Sequence, residues 1–247
     1  MTKSQNDQRE KIAKLLAKAE GTDSPAEAEA FTRAAERLMI KWGIEEAVVR
    51  AAMTGEQPEE ITTARILYTD TYSDAFVAFT SSIVDGLGEL RTFYVSGHAH
   101  PDHRVVYVVG HRSDVQRAEM LISSLRLQAV SAMKTWWRTG RYSTHLKGWR
   151  AFKARRQFII SFGHGVGERL AGVRTETIAE TGGASTELVL VDRATRVNAW
   201  VDEHIGELQK TRGLQSSLLG FAAGREAGRR ADIGNNVTDG DTESIES

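Results

Sequence analysis

The chain has no cysteine. That excludes disulfides, iron–sulfur clusters and thiolate zinc sites, and it suits a reducing compartment. No apolar run approaches the length needed to span a bilayer. The opening "MTKSQNDQREK" lacks the apolar stretch of a secretory signal. A cytoplasmic location and no membrane partner are therefore expected. An excess of one charge is missing as well: the formal net charge is −1, so the molecule as a whole is no obvious polyanion binder. No Gly-x-x-x-x-Gly-Lys-(Ser/Thr) loop, Ser-His-Asp arrangement or carboxylate pair stands out. What remains is an ordinary globular composition, 40% hydrophobic and 26% charged, in 247 residues. That is enough for one large domain or two small ones.

Periodicity supplies the elements. In "QREKIAKLLAKAE", Ile12, Leu15, Leu16 and Ala19 recur at helical spacing. Ser24, Pro25 and Glu27 then read as a capping box with proline at the first helical position. They open a second helix that is expected to stop near Trp42 and Gly43. Its inner face is Ala30 or Phe31, Ala34, Leu38 and Met39. Residues 51–63 read as a polar linker. "ARILYTD", "LRTFYVS" and "RVVYVVG" read as strands. "YSDAFVAFTSSIVDGLG" reads as a helix with Phe76, Phe79, Ile83 and Leu87 on one side. A long helix capped by Ser113 should bury Leu121, Leu125 and Ala129, and another covers 150–173. "STELVLVD" reads as a late strand, followed by a helix over "ATRVNAWVDEHIGEL". "LLGFAAGREAGRRADI" reads as a helix or a packed irregular segment. From Asn235 the chain is acidic with almost nothing apolar, so disorder is expected.

The first of these segments resembles a known family. Lys11, Ile12, Leu15, Leu16, Ala19 and Glu20, then Glu27 and Ala28, then Leu38, Met39, Trp42, Gly43 and Ile44 fit the helical hairpin called domain of unknown function 2786. The remainder is similar in layout to the partner domain that usually follows it. That layout is a hairpin ending in "VVG", a long helix, Phe158–Leu170, and a glycine-alanine run from Gly220 to Gly228. The resemblance implies a bacterial, phage or plasmid setting. It implies no activity, so no catalytic residue is carried over from it.

Two stretches carry candidate chemistry. In "SGHAHPDHRVV", His98, His100, Asp102 and His103 have the spacing of a zinc hydrolase motif, with His164, Asp192 and His204 in a workable order downstream. No cofactor is expected, and zinc is the one alternative with candidate ligands. Against it, the motif should open into a helix, and "RVVYVVG" reads as a strand. Residues 97–103 are better explained as a hairpin connection turning at Pro101-Asp102. The second stretch runs from Lys134 to Arg174. It holds ten positive side chains and one acid, Glu168, with Trp136, Trp137, Tyr142, Trp149 and Phe152 interleaved. Phosphates attract such charge and aromatic faces stack on bases. Lys147, Trp149, Arg150, Lys153, Arg155 and Arg156 are the candidate contacts. The competing explanations are a solvated helix face with its aromatics in the core, and a surface for an acidic protein. "FGHGVGERL" and "GFAAGREAG" suggest a phosphate loop, but close helix packing accounts for them better.

The expected fold class is α+β: an N-terminal αα-hairpin followed by a small, mostly antiparallel sheet packed with long helices. The expected division is 1–50 hairpin module, 51–63 linker, 64–234 α+β domain and 235–247 acidic tail. The expected function is a non-enzymatic accessory protein of phage or mobile-element type. Its partner is nucleic acid or a protein that handles it. The alternatives are a metal-dependent hydrolase and a protein-binding modulator of a host factor.

Overall fold

A computed structural model describes residues 3–22, 24–53, 59–96, 103–205 and 219–231. Among them the order is α1 (Lys3–Gly21), α2 (Pro25–Ala52), β1 (Ile61–Tyr68), α3 (Ser73–Leu87), β2 (Arg91–Ser96), β3 (Arg104–His111), α4 (Arg112–Thr139), α5 (Tyr142–His145), α6 (Gly148–Thr181), α7 (Ala184–His204) and α8 (Phe221–Arg230). The class is α+β. The strands form one antiparallel sheet in the order β1-β3-β2. The central β3 buries Val106, Val108 and Val109. Val106 and Val108 belong to the main core; Val109 packs with Val197 and Val201 of α7. Both faces of β3 are therefore covered, which explains a valine-rich strand without polar alternation. No helix among the described residues is long and apolar enough to cross a membrane.

The main core joins the N-terminal hairpin to everything else. Ile12, Leu16, Met39 and Ile44 share one buried cluster with Phe76, Phe79, Leu121, Leu125, Phe158 and Leu170. The apolar stripes drawn on α3 and α4 are the buried ones, apart from half-buried Leu87. Ser24 caps α2, its hydroxyl accepting from the Glu27 N–H at 3.4 Å. The reciprocal half of the box differs from expectation. The Glu27 carboxylate accepts instead from the Thr22 hydroxyl at 2.8 Å, and the Ser24 N–H donates to Thr22 Oγ1 at 3.2 Å.

Helices α2, α7 and α4 depart from the sequence reading, and β1 begins at Ile61, inside the stretch read as a linker. Helix α2 does not stop at Gly43 but runs to Ala52. Gly43 is not in the left-handed conformation that a glycine stop uses. The buried stripe continues through Ile44 and Ala47, and the Glu46–Arg50 pair supports the added turns. Residues 185–192 are not a strand but the start of α7. The run "LVLV" is β-branched enough for either state, and the helical stripe Thr186, Leu190, Arg193, Val197 and Val201 decides it. Leu188 and Val191 are left 71% and 55% exposed as a result. Ser113 does not cap α4. His111 holds the cap position without a side-chain hydrogen bond to the helix, and the Ser113 N–H donates to the distant Glu59 carboxylate at 2.7 Å.

Glycine gives α6 two close neighbours. A Cβ on Gly163 would lie 2.6 Å from the Phe79 Cα of α3, and one on Gly224 or Gly228 of α8 would run into the Phe158 or Phe162 carbonyl. The stretches that suggested a phosphate loop lie inside helices and serve backbone-to-backbone packing.

Candidate nucleic-acid interface

Helices α4 and α6 are joined by a turn that holds the short α5. The turn is built by local residues. Gly140 ends α4, and a Cβ there would strike the Tyr142 ring. Arg141 takes a left-handed conformation with φ 51°, and Gly148 does the same at 54°. Tyr142 folds back onto Trp136 and Trp137, with ring centres 4.7 and 5.7 Å away. Trp136 in turn stacks on buried Phe158 at 5.0 Å. The two adjacent tryptophans are thus both half-buried and fix the turn to the body.

Nine of the ten positive side chains of this region divide into two groups. Arg156 pairs with Asp74 at 2.6 Å, Arg169 with Glu36 at 3.4 Å, and Arg174 with Glu89. These three belong to the body. Lys134, Arg138, Arg141, Lys147, Arg150 and Lys153 are all exposed on the end of α4, the turn and the start of α6. None of the six makes an ion pair with the described residues. No Asp or Glu occurs in the sequence between Glu119 and Glu168. Asp70 and Asp74 reach α4 and α6 from the β1–α3 connection and the start of α3, where Arg126 and Arg156 take them up. Lys147 caps α6 without a side-chain hydrogen bond, so the positive end of a 34-residue helix dipole adds to the same surface.

Arg155 belongs to neither group. Its guanidinium lies 5.1 Å from the Trp137 ring centre and 5.9 Å from that of Tyr72, and its Nε–H donates to the Ala151 carbonyl at 3.3 Å. Of the six candidate contacts read from sequence, the structure brings Lys147, Trp149, Arg150 and Lys153 together at the exposed turn. It places Arg155 between aromatic rings and Arg156 against Asp74. Trp149 is 65% exposed, the only tryptophan among the large exposed hydrophobic side chains of the described residues. Lys134, Arg138 and Arg141 complete the surface.

The other candidate stretch is mostly outside view. His98, His100 and Asp102 lie outside the described residues. His103 directly precedes β3, and Ser96 pairs with Arg104, so 97–103 connects adjacent antiparallel strands. The helix that the hydrolase motif requires at this point is replaced by β3. Asp192 pairs with Arg196 at 2.7 Å and the His204 ring stacks on Trp200. Among the described residues no group of three or more His, Cys, Asp or Glu is placed to hold a metal ion.

A second polar cluster escapes the sequence reading, and only its local pairs Glu46–Arg50 and Asp114–Arg117 leave a trace in the sequence. Glu46 and Arg50 of α2, Glu59, Asp114 and Arg117 of α4, and Arg193 of α7 interlock. Arg117 reaches Glu46 at 3.0 Å and also pairs with Asp114. Arg193 reaches Asp114 at 2.7 Å and Glu59 at 3.3 Å. Arg50 holds Glu46 at 3.0 Å. Burial pushes the Asp114 carboxyl up, but Arg117 and Arg193 outweigh it and hold the group below its ordinary range. His111 flanks this knot. Its Nδ1 lies 3.2 Å from the Glu59 carbonyl, which can only accept, so Nδ1 carries the proton. Burial and then the Arg193 charge push its pKa down, opposed by Asp114 and Glu59.

Residues 9–46 match the family described as "Protein of unknown function (DUF2786)". The matched span lies within α1 and α2, apart from their connection. No curated protein and no solved structure matches the chain.

Proposed function

We propose that this chain binds nucleic acid through the exposed turn between α4 and α6, as a non-enzymatic accessory protein of the phage or mobile-element kind. In this reading residues 64–234 act as the partner domain that accompanies the N-terminal hairpin, and the chain works in the cytoplasm. One observation carries the binding proposal: six exposed cations that make no ion pair among the described residues share the α4–α6 turn with an exposed tryptophan, in a chain of net charge −1. Charge held without partners repels itself, and a polyphosphate that releases its condensed counterions relieves that repulsion.

The test is a fluorescence-anisotropy titration of labelled oligonucleotide at about 50 mM salt, where electrostatic affinity is still strong. The full chain should bind. The variant with Arg138, Lys147, Arg150 and Lys153 changed to Ala should bind much more weakly while its circular dichroism stays native. Absence of binding by the unaltered chain would leave the turn as a surface for an acidic protein or a plain solvated face.

A further inference from the structure

Trp149 is the outer end of a column of rings. Tyr72 and Phe152 stack with centres 5.5 Å apart and planes 15° apart. Phe152 and Trp149 stack at 5.0 Å and 13°. The inner ring is fixed: Tyr72 is half-buried at the cap of α3, and its backbone N–H donates to Asp70 at 2.8 Å. The outer ring is 65% exposed. Trp149 sits two residues into α6, where the dihedrals are helical and the turn behind it is tied down by Trp136 and Tyr142. The stack on Phe152 orients the outer ring.

We infer that this column continues into an unpaired base, so that the nucleic acid bound at the turn is single-stranded, with Trp149 as the stacking platform. The inference rests on the nucleic-acid reading above and names its substrate class. Inside a duplex each base already has a neighbour on both faces and only the two end pairs expose one, whereas every unpaired base along a single strand can offer a free face. A pre-aligned flat ring needs little ordering on binding. Lys153, with Nζ 5.2 Å from the Trp149 ring centre, is an exposed flexible chain that an incoming base displaces. Its ammonium stays within reach of the attached phosphate. Arg150 and Lys147 flank the same ring along the chain and supply further phosphate contacts. Stacking on an aromatic ring tolerates any base, so affinity for strand over duplex should carry little sequence preference.

The experiment uses the full chain with a labelled oligothymidylate and a duplex of equal length. The unaltered chain should bind the single strand more tightly, and saturation should quench tryptophan emission. Trp149→Ala should weaken single-strand binding by roughly 5- to 150-fold and leave duplex binding unchanged. Trp149→Phe should keep most of the affinity but lose most of the quench. Tighter duplex binding by the unaltered chain, or unchanged single-strand binding in Trp149→Ala, overturns the inference. If the four-charge variant fails on both probes while Trp149→Ala fails on neither, stacking falls and the phosphate-binding reading stands. If the unaltered chain binds neither probe, both fall. Should Trp149→Ala unfold, Trp149→Phe decides the matter, because an undiminished quench places the base elsewhere.

Discussion

The turn between α4 and α6 and the knot beneath α2 are both rich in arginine, and they use it in opposite ways. In the knot three guanidiniums meet three carboxylates. Glu46, Glu59, Asp114, Arg117 and Arg193 are each no more than 16% exposed. At the turn six cations face solvent and pair with no carboxylate among the described residues. A guanidinium that is buried must be matched, since the desolvation penalty is several kcal/mol per ion. An exposed one can wait for a partner. The difference separates residues that hold elements together from residues that meet something else. It also divides nine of the ten positive charges between Lys134 and Arg174: Arg156, Arg169 and Arg174 are structural, and a variant that removes Arg156 mixes lost binding with lost packing.

The largest expected effect lies in the knot. Asp114→Ala leaves Arg117 and Arg193 short of a buried counter-charge and should destabilise the fold by about 3–5 kcal/mol in urea titration. An effect near zero would show that water already serves the two arginines. Next comes helix packing. Gly228→Ala puts a methyl into the Phe162 carbonyl and should cost about 1–3 kcal/mol, with α8 loosening first in hydrogen exchange. A third test uses pH. Folded His111 titrates below its ordinary value of 6.5. The unfolded chain therefore takes up that proton first. The stability from the neutral ring is complete above 6.5 and is lost as pH falls from there through the lowered folded value. His111→Gln should flatten the stability slope in that window; an unchanged slope would mean that the ring is free to charge in place. Smallest is Arg141→Gly, which relieves a left-handed conformation and should stabilise by up to about 1 kcal/mol. If it destabilises, the Arg141 side chain makes a contact worth more than the strain.

The sequence discloses what repeats locally. The stripes of α1, α3 and α4, the Ser24 cap and the paired strands β2 and β3 all follow from spacing and residue type. So does the helix packing of the glycines, since no strand precedes them. The fold class is legible for the same reason. What the spacing misstates depends on distant neighbours. "STELVLVD" becomes helical because Leu190 and Val197 find apolar partners, and α2 outruns Gly43 because Ile44 and Ala47 do. The cap of α4 comes from Glu59, more than fifty residues earlier in the chain. The knot draws on positions 46 to 193, and only Glu46–Arg50 and Asp114–Arg117 leave a local trace. At the turn, composition shows that charge and aromatics occur together. It does not show that Arg156 answers Asp74, or that Tyr72 lies beneath Phe152 and Trp149.

The most direct test is the salt dependence of binding. Log affinity should fall linearly with log salt, with a slope of roughly −0.7 per phosphate contact on a single strand. Changing Arg138, Lys147, Arg150 and Lys153 to Ala should reduce that slope by roughly 2 to 3 if most of them meet phosphates, with no change in melting temperature. An identical slope in the native and altered chains would contradict the assignment of these side chains to a phosphate-binding surface.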